Sequence, residues 1–305
     1  LARNIGYVPR SARSAKATVS FSVDLGQNDT RIVTMKAGQV ALGRQESGQY
    51  IFSIADDFVA TVNDDNQAEF ANVNIYEGVY LTKSFTVDYS QANQRFILPN
   101  QNIDSTSIRV KVTSTTTEIY ELYSNILRVD ATSKLFLLQE IEDETYEILF
   151  GDGILGKKLP AGARIDVSYI VTNGPKANGA KNFSFAGILN DDTGAVLTSG
   201  ISLITTQEEA SNGDTVEETS SIKYLAPRIY AAQYRAVTAN DYKGIIPFVY
   251  PNVESVTSYG GEELDPPEYG KVFISIKPRN GNFLSQITKD DISRKLKQYS
   301  IAGIK

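Results

Sequence analysis

The chain has 305 residues, carries a formal net charge of −6 and contains no cysteine, histidine or tryptophan. It therefore forms no disulfide, and it lacks a thiol nucleophile, an imidazole general base and the preferred ligands of transition metals. The acidic balance argues against a dedicated nucleic-acid binder, and no apolar run approaches the roughly 18 residues that span a bilayer.

The first 200 residues are predicted to be mostly β-structure. Apolar and polar residues alternate with the two-residue period of half-buried strands. Clusters rich in Gly, Asn and Asp separate these segments and indicate turns. The clearest strands are predicted over 18–24, 79–87, 108–112, 146–150 and 165–171.

Three helices are predicted after residue 207, each from a capping pattern in which Ser or Thr precedes Asp or Glu by three positions. The first is expected to run toward Ala226 and to stop before Pro227, and the second is expected to end at Pro247. The three capping patterns are Thr215 with Glu218, Thr238 with Asp241, and Thr288 with Asp291.

Two further strands, over 253–258 and 271–277, are predicted between the second and third helices. The order helix, strand, strand, helix fits a small α/β sandwich, for which a truncated ferredoxin-like unit is one arrangement. The fold class is therefore α+β, with a β-rich multidomain body followed by a smaller α/β-sandwich module at the C-terminal end.

Three domains are predicted from this organisation: a β-rich domain over 1–90, a β domain carrying the FGDG hairpin over 91–206, and an α+β domain over 207–305. The sequence starts at Leu1 without an initiator methionine, and it ends at Lys305 within a predicted helix. We therefore expect it to be part of a longer polypeptide.

The stretch FGDGILGKKLPAG, residues 150–162, contains two patterns known from phosphate-binding loops. Gly151, Gly153 and Gly156 match G-x-G-x-x-G, and Gly151 and Gly156 with Lys157 match G-x-x-x-x-G-K. Both patterns need a helix directly after the glycines, because the helix N-terminus supplies the amide groups and the dipole that hold the phosphate.

That helix is not expected here. Pro160 follows closely, a strand is predicted over 164–171, and Lys158 occupies the position at which Ser or Thr would bind Mg²⁺. We predict a connection between two antiparallel strands, in which Gly151, Asp152 and Gly153 can take positive φ and Gly156 can permit a second tight bend.

Two other kinds of site are considered, a cation site and a carbohydrate site. Asp191 and Asp192 with Gly194 form the best candidate for a cation site, although such clusters are more often solvated turns. The β-rich body with abundant Tyr and carboxylates also fits a protein that binds or cleaves carbohydrate. The absence of tryptophan, the usual sugar-stacking residue, argues against that alternative.

Several blocks of sequence share features that occur together in one family. Residues 146–179 hold a strand ending in F-G-D-G, a Pro-Ala-Gly turn and a strand followed by a glycine-rich stretch. Further blocks lie in order at 10–23, 35–58, 208–246 and 250–281. Together they resemble the phage baseplate J-like family. The chain's size and its long segment 85–145 are most similar to the baseplate wedge proteins of T-even-like contractile-tailed phages.

The resemblance implies a structural role and no enzymatic activity, so no catalytic residue, cofactor or metal site is expected. It implies a homodimer or larger ring around the tail hub, in contact with other wedge and tail proteins, which rearranges when the sheath contracts. The expected location is the virion baseplate, after assembly in the host cytoplasm, with neither nucleic acid nor a membrane span involved. The structural family motif comprises Phe150, Gly151, Asp152, Gly153, Gly156, Pro160, Gly162 and Tyr169.

Overall fold

A computed structural model describes residues 9–26, 29–46, 48–91, 93–123, 129–141, 144–233, 235–250, 253–278, 283–284 and 286–300. The fold is β-rich with few helices, as the α+β prediction requires. The chain divides into two compact units, one of residues Ser11–Thr215 and one of Leu1–Arg10 with Val216–Lys305. The three-domain division at 90 and 206 stays a prediction.

Short strands fill most of the larger unit, and the five strands that the two-residue period predicts are all confirmed. The strands are β1 Lys16–Asp24, β2 Ile32–Met35, β3 Gly38–Gln45, β4 Gly48–Ile54, β5 Phe58–Thr61, β6 Gln67–Glu77, β7 Val79–Thr86, β8 Phe96–Leu98, β9 Ile103–Thr113, β10 Thr117–Leu122, β11 Leu135–Glu140, β12 Tyr146–Phe150, β13 Arg164–Val171, β14 Lys181–Phe185, β15 Leu189–Asn190, β16 Val196–Leu197 and β17 Thr205–Ser211.

A six-stranded antiparallel sheet in the order β14-β3-β4-β6-β1-β17 encloses the first core of this unit. The two ends of the sheet meet at Ala210, whose N–H donates to Ala180 O at 3.0 Å and whose carbonyl accepts from Gly179 N at 2.6 Å. A four-stranded sheet, β16-β15-β2-β5, covers the same core. Phe21 stacks on Phe70 inside it, with ring centroids 4.8 Å apart.

A seven-stranded sheet in the order β7-β13-β9-β10-β11-β12-β8 holds the second core. Its neighbours are antiparallel except for β10 and β11, which run parallel. In β13 the alternate residues Ile165, Val167 and Tyr169 are buried, because a strand directs every second side chain to the same face. This sheet positions both ends of the glycine-rich connection.

Two buried carboxylates tie the strands of these two cores together. Glu77, at the end of β6, accepts hydrogen bonds from Thr172 Oγ1 at 2.6 Å, Asn173 Nδ2 at 2.7 Å and Asn173 N at 3.0 Å. Asp104 in β9 accepts from Ser14 N at 2.9 Å. Because a buried carboxylate must be hydrogen-bonded, these contacts fix how the chain passes from one sheet to the next.

The smaller unit contains three α-helices and a two-stranded antiparallel sheet within its described residues. After residue 239 the elements follow in the predicted order helix, strand, strand, helix. Its core includes Tyr242, Ile245, Ile246 and Ile292. The elements are α1 Thr219–Ala231, α2 Ala239–Val249, β18 Val253–Gly260, β19 Val272–Pro278 and α3 Gln286–Leu296.

The helix boundaries confirm one capping prediction and contradict two. Thr238 and Asp241 form a full capping box at the start of α2. Helix α1 begins after Glu218, which makes no side-chain cap, so the pairing of Thr215 with Glu218 as a capping box is wrong. Helix α3 already includes Thr288, and Asp291 pairs with Arg294 and Lys295 instead of capping.

The two prolines do not end their helices as predicted. Pro227 lies inside α1, and Pro247 lies inside α2. Ile229, beyond the first proline, and Val249, beyond the second, are buried. Tertiary packing of these apolar residues therefore continues each helix past a residue that disfavours it.

Candidate functional site

The glycine-rich connection leaves β12 at Phe150 and enters β13 at Arg164. Every residue from 144 to 171 is described, and no helix lies between the two strands. The segment consists of turns and an isolated parallel bridge between Gly151 and Lys158. The helix N-terminus that either phosphate-binding pattern requires is therefore missing from this stretch.

The glycines serve two different purposes. Gly153, Gly156 and Gly162 have φ of +94°, +86° and +73°, which favours glycine because other residues rarely adopt this region. Of the three residues that can take positive φ at the start of the connection, only Gly153 does so, and Gly151 and Asp152 do not. Gly151 is needed because a β-carbon there would overlap the backbone of Gly156.

Asp152 organises the tip of the connection. Its Oδ1 accepts hydrogen bonds from Ile154 N at 2.8 Å and from Leu155 N at 2.9 Å, and these bonds hold the pKa of the Asp152 carboxyl below its ordinary value. Gly153 N donates to Gly156 O at 3.0 Å and closes the turn. The residues Ile154 and Leu155 are left 76% and 59% exposed.

The lysine of the G-K pattern makes an ion pair within the protein. Lys157 Nζ donates to Glu118 Oε1 at 2.8 Å and to Oε2 at 2.6 Å, and Lys134 Nζ lies 3.1 Å from the same carboxylate. Hydrogen bonds from Lys157 and then Lys134 lower the pKa of Glu118. The neighbouring Lys158 lies over the ring of Tyr89, with Nζ 4.9 Å from the centroid. Lys157 therefore holds the connection to β10.

A turn at Asp130 is joined to the glycine-rich connection by two backbone hydrogen bonds. The sequence patterns did not predict this turn. Asp130 O accepts from Gly156 N at 3.0 Å, and Ser133 O accepts from Lys157 N at 2.7 Å. Asp130 Oδ1 accepts from Thr132 Oγ1, Thr132 N and Ser133 Oγ, which lowers the pKa of its carboxyl. The sequence D-A-T-S could have signalled this Asx turn, but not its contact with Gly156.

The remaining residues of the predicted family motif lie on either side of the tip. Phe150 packs edge-on against Phe96 and Tyr120, with ring centroids 5.6 and 5.7 Å away. Pro160 O accepts from Ala163 N at 3.2 Å, and Gly162 N donates to Val87 O at 2.8 Å.

Tyr169 lies apart from the tip, within β13. Its side chain is buried, and its hydroxyl donates to Asn100 Oδ1 at 2.7 Å. Burial raises the pKa of this hydroxyl above its ordinary value. Tyr169 therefore contributes to the core beneath the connection and is not part of an exposed site.

A cavity of about 330 Å³ lies beside the connection. Phe150 and Gly151 line it on one side, and the segment around Tyr89 lines it on the other. Its lining is mixed: Phe96 and Leu159 are apolar, while Asp88, Gln91 and Gln94 are polar. The cavity is thus next to the exposed tip of the same connection.

The candidate cation site at Asp191 is a turn. Asp191 Oδ1 accepts hydrogen bonds from Thr193 Oγ1 at 2.7 Å, Ala195 N at 2.8 Å and Thr193 N at 2.9 Å. These bonds lower the pKa of the Asp191 carboxyl. Within the described ranges, no group of three or more Asp or Glu side chains is arranged to hold a metal ion.

No helix among the described residues is long and apolar enough to cross a membrane.

Comparison with known proteins gives two family matches. Residues 83–181 match a family model described as the third domain of bacteriophage baseplate wedge protein gp6. Residues 238–305 match a model described as C-terminal domain I of baseplate structural protein gp6. The segment 85–145, which carries none of the motifs noted above, lies inside the first match.

Baseplate wedge protein gp6 of Enterobacteria phage T4 is 25% identical over 320 residues, covering 99% of this chain and 47% of the T4 protein. The chain thus spans about half the length of this curated relative. A cryo-EM structure of the anti-feeding prophage (AFP) baseplate, 6-fold symmetrised, shares 15% identity at a TM-score of 0.30, covering 98% of this chain and 57% of the other. Over residues 83–181 and 238–305 the chain therefore matches domains of the baseplate gp6 family, and over nearly its whole length it is similar to a baseplate wedge protein.

Proposed function

We propose that the protein is a structural component of a contractile phage tail baseplate wedge. The observation that carries this proposal is the pair of gp6 domain matches, together with similarity to the T4 wedge protein over 99% of the chain. Because that relative is about twice as long, the partners and movements of the whole protein are part of the proposal.

The geometry of the glycine-rich connection supports a structural role. Its glycines allow a tight turn and a close backbone approach, and Lys157 is bound to Glu118. Two of its exposed residues, Ile154 and Leu155, are apolar. Exposed aliphatic side chains on an ordered turn suit contact with another protein better than they suit binding of a phosphate.

The proposal also includes how the protein assembles, what it contacts and how it moves. The protein pairs with a second copy or forms a ring around the hub, contacts other wedge and tail proteins, and changes position as the sheath contracts. It is assembled in the host cytoplasm and works without nucleic acid or catalysis. Its baseplate J-like character, the eight-residue family motif from Phe150 to Tyr169 and a truncated ferredoxin-like arrangement after residue 239 belong to the same proposal.

Sedimentation velocity tests the proposal on the full-length protein, alone and mixed with the other wedge proteins of the same phage. We expect self-association, or a larger complex that contains the partners. A protein that stays monomeric alone and in every mixture would contradict the proposal. Titration with labelled ATP and NAD tests the alternative that the glycine-rich connection binds a nucleotide. Saturable binding at micromolar concentration would support that alternative.

A further inference from the structure

The smaller unit carries a groove of about 390 Å³ between α1 and α2. Its lining combines an aromatic ring, two cations and aliphatic side chains, and includes Tyr224, Arg228 and Ile229 of α1 and Lys243, Gly244 and Ile245 of α2. Tyr224 is 55% exposed, which leaves its ring open to a partner. Tyr and Arg are enriched among the residues that contribute most to binding at protein interfaces. The lining is therefore typical of a protein-binding surface.

The guanidinium group of Arg228 is held in place but has no acidic partner among the described residues. Its Cζ lies 3.6 Å from the centroid of the Tyr224 ring, and its Nη1 donates to Tyr224 O at 2.7 Å. Within the described part of the chain, its Nε and Nη2 make no hydrogen bond. In Arg95 the same two groups donate to the two carboxylate oxygens of Glu147, at 2.8 and 2.7 Å. The corresponding edge of Arg228 is therefore available to a carboxylate.

Lys243 adds a second cation to the groove, and within the described ranges it forms no ion pair. Asp241 also lines the groove, but its carboxylate is already used at the start of α2. Its Oδ2 accepts hydrogen bonds from Thr238 N at 2.8 Å and from Val237 N at 3.1 Å. Because these amides and the helix N-terminus stabilise the charge of Asp241, an incoming carboxylate meets two cations against one engaged acid.

Gly244 keeps the groove open beside Arg228. Glycine inside a helix lowers stability relative to alanine, because it loses more conformational freedom on folding. An added β-carbon at Gly244 would have Arg228 Cβ as its nearest described neighbour, at 3.8 Å, which is an ordinary contact. The φ of Gly244 is not positive. Since neither backbone conformation nor close packing requires glycine here, we attribute it to the space that it leaves in the groove.

The distribution of charge favours an acidic protein as the occupant. The smaller unit has 14 Lys and Arg against 10 Asp and Glu, whereas the larger unit has 16 against 26. The groove therefore belongs to the basic part of an acidic chain. A long polyanion such as a nucleic acid would be repelled by the overall charge of −6. Ile229 and Ile245 also suit the apolar neighbours that accompany a carboxylate on a protein surface.

We propose that the groove between α1 and α2 binds a carboxylate side chain of another baseplate wedge protein, through Nε and Nη2 of Arg228 and the amine of Lys243. The inference rests on the wedge role in the proposed function, and it names the chemistry of one contact within that role. Such a contact fixes the register of two proteins, and added salt weakens it.

Replacing Arg228 tests the contact in the full-length protein, mixed with each purified wedge protein of the same phage. We expect Arg228→Gln to raise the Kd for the wedge partner at least about tenfold, because the partner carboxylate loses its bidentate donor. Arg228→Lys should raise it nearly as much, since an ammonium group cannot form two parallel hydrogen bonds. Arg294→Gln is the matched control, because Arg294 lies on the same unit and pairs with Asp291. It should leave the Kd unchanged.

Gly244→Ala distinguishes a binding groove from a structural contact. The added methyl group narrows the groove beside Arg228, so binding of the wedge partner should weaken several-fold. Thermal unfolding should show a protein that is no less stable, because alanine favours a helix more than glycine does. Weaker binding without lower stability cannot result from misfolding.

Carbodiimide coupling identifies the occupant directly. The reagent activates a carboxylate, which forms an amide with a neighbouring lysine amine and releases a urea. In the assembled wedge, Lys243 should be joined to an Asp or Glu of another wedge protein, as mass spectrometry of the linked peptides measures. Lys277 is the positive control, because it pairs with Glu254 at 2.8 Å and should be joined within this chain.

The outcomes separate this inference from the proposed function. Unchanged wedge binding in Arg228→Gln, with no coupling at Lys243, would overturn the groove contact and leave the wedge role standing. Coupling of Lys243 to a carboxylate of this same chain would also overturn it. Saturable binding of a single-stranded DNA oligonucleotide that Arg228→Gln abolishes would assign the groove to phosphate instead. A natural protein that binds none of the wedge proteins would contradict the proposed function itself, and the inference with it.

Discussion

Gly151 and Gly156 approach each other so closely that a β-carbon on Gly151 would overlap the carbonyl group of Gly156. This contact closes the base of the turn that begins after β12. It also places Gly156 N against Asp130 O at 3.0 Å, so the turn rests on a second segment of chain. The glycine pattern that resembles a phosphate loop is therefore explained by backbone packing.

Replacing Gly151 and Gly162 by alanine distinguishes the effect of a close backbone approach from the effect of a positive φ. Gly151→Ala should lower the free energy of unfolding by roughly 2–3 kcal/mol, because the added carbon overlaps backbone atoms that cannot move aside. Gly162→Ala should cost only about 1 kcal/mol, since Gly162 has positive φ but no atom within 4 Å of an added carbon. Urea unfolding followed by circular dichroism measures both. Equal losses, or a larger loss at Gly162, would contradict the packing argument.

The ion pair of Lys157 predicts a shift in the titration of Glu118. The pKa of Glu118 is held below its ordinary value of 4.5, so its contribution to stability is present above that pH and is lost as the pH falls through the lowered pKa. Lys157→Ala should raise this pKa, and Lys134→Ala should raise it less. Carbon-13 NMR titration of the side-chain carboxyl measures the shift.

Lys36→Ala serves as the control for that titration. Lys36 pairs with Asp57 at 2.8 Å, so its removal should raise the pKa of Asp57 and leave Glu118 unchanged. If the pKa of Glu118 stays the same in Lys157→Ala, the ion pair does not hold the connection to β10.

The buried carboxylate of Glu77 should be critical for stability. Glu77→Ala leaves donors of Thr172 and Asn173 without an acceptor and should cost roughly 3 kcal/mol. Glu77→Gln keeps one carbonyl oxygen and should cost less. Thermal unfolding ranks the two variants. A glutamine variant that is as unstable as the alanine variant would show that the negative charge matters more than the acceptor geometry.

The capping box of α2 gives a test in the smaller unit. Thr238→Ala removes the side chain that accepts from Asp241 N and should destabilise the helix by about 1 kcal/mol. Thr238→Ser keeps the hydroxyl and should behave like the natural protein. Hydrogen exchange of the first amides of α2 reports the difference, and equal protection in both variants would rule out a role for the cap.

Local patterns in the sequence predicted the elements that depend on local chemistry. The alternation of apolar and polar residues in β13 is enough to predict this strand, because one face of the strand is buried along its length. The capping box at Thr238 is satisfied within four residues, so it too could be read from the sequence. Pro227 and Pro247 misled the helix predictions because distant packing outweighed their local cost.

The parts that sequence reasoning missed depend on contacts between distant residues. The parallel pairing of β10 with β11 and the short strand β8 are set by neighbouring strands. The need for Gly151 was predicted, but its reason was not, since Gly156 approaches it only in the folded turn. The Asp130 turn and the Lys157–Glu118 pair likewise join residues that lie more than twenty positions apart.

Cryo-EM of the contractile tails assembled with this protein tests the central claim most directly. We expect density that fits the two β-cores of residues 11–215 in the baseplate, in several copies around the hub. The Lys157–Glu118 pair should lie inside each copy. Complete baseplates that contain no density for this fold would contradict the proposal that the protein is a wedge component.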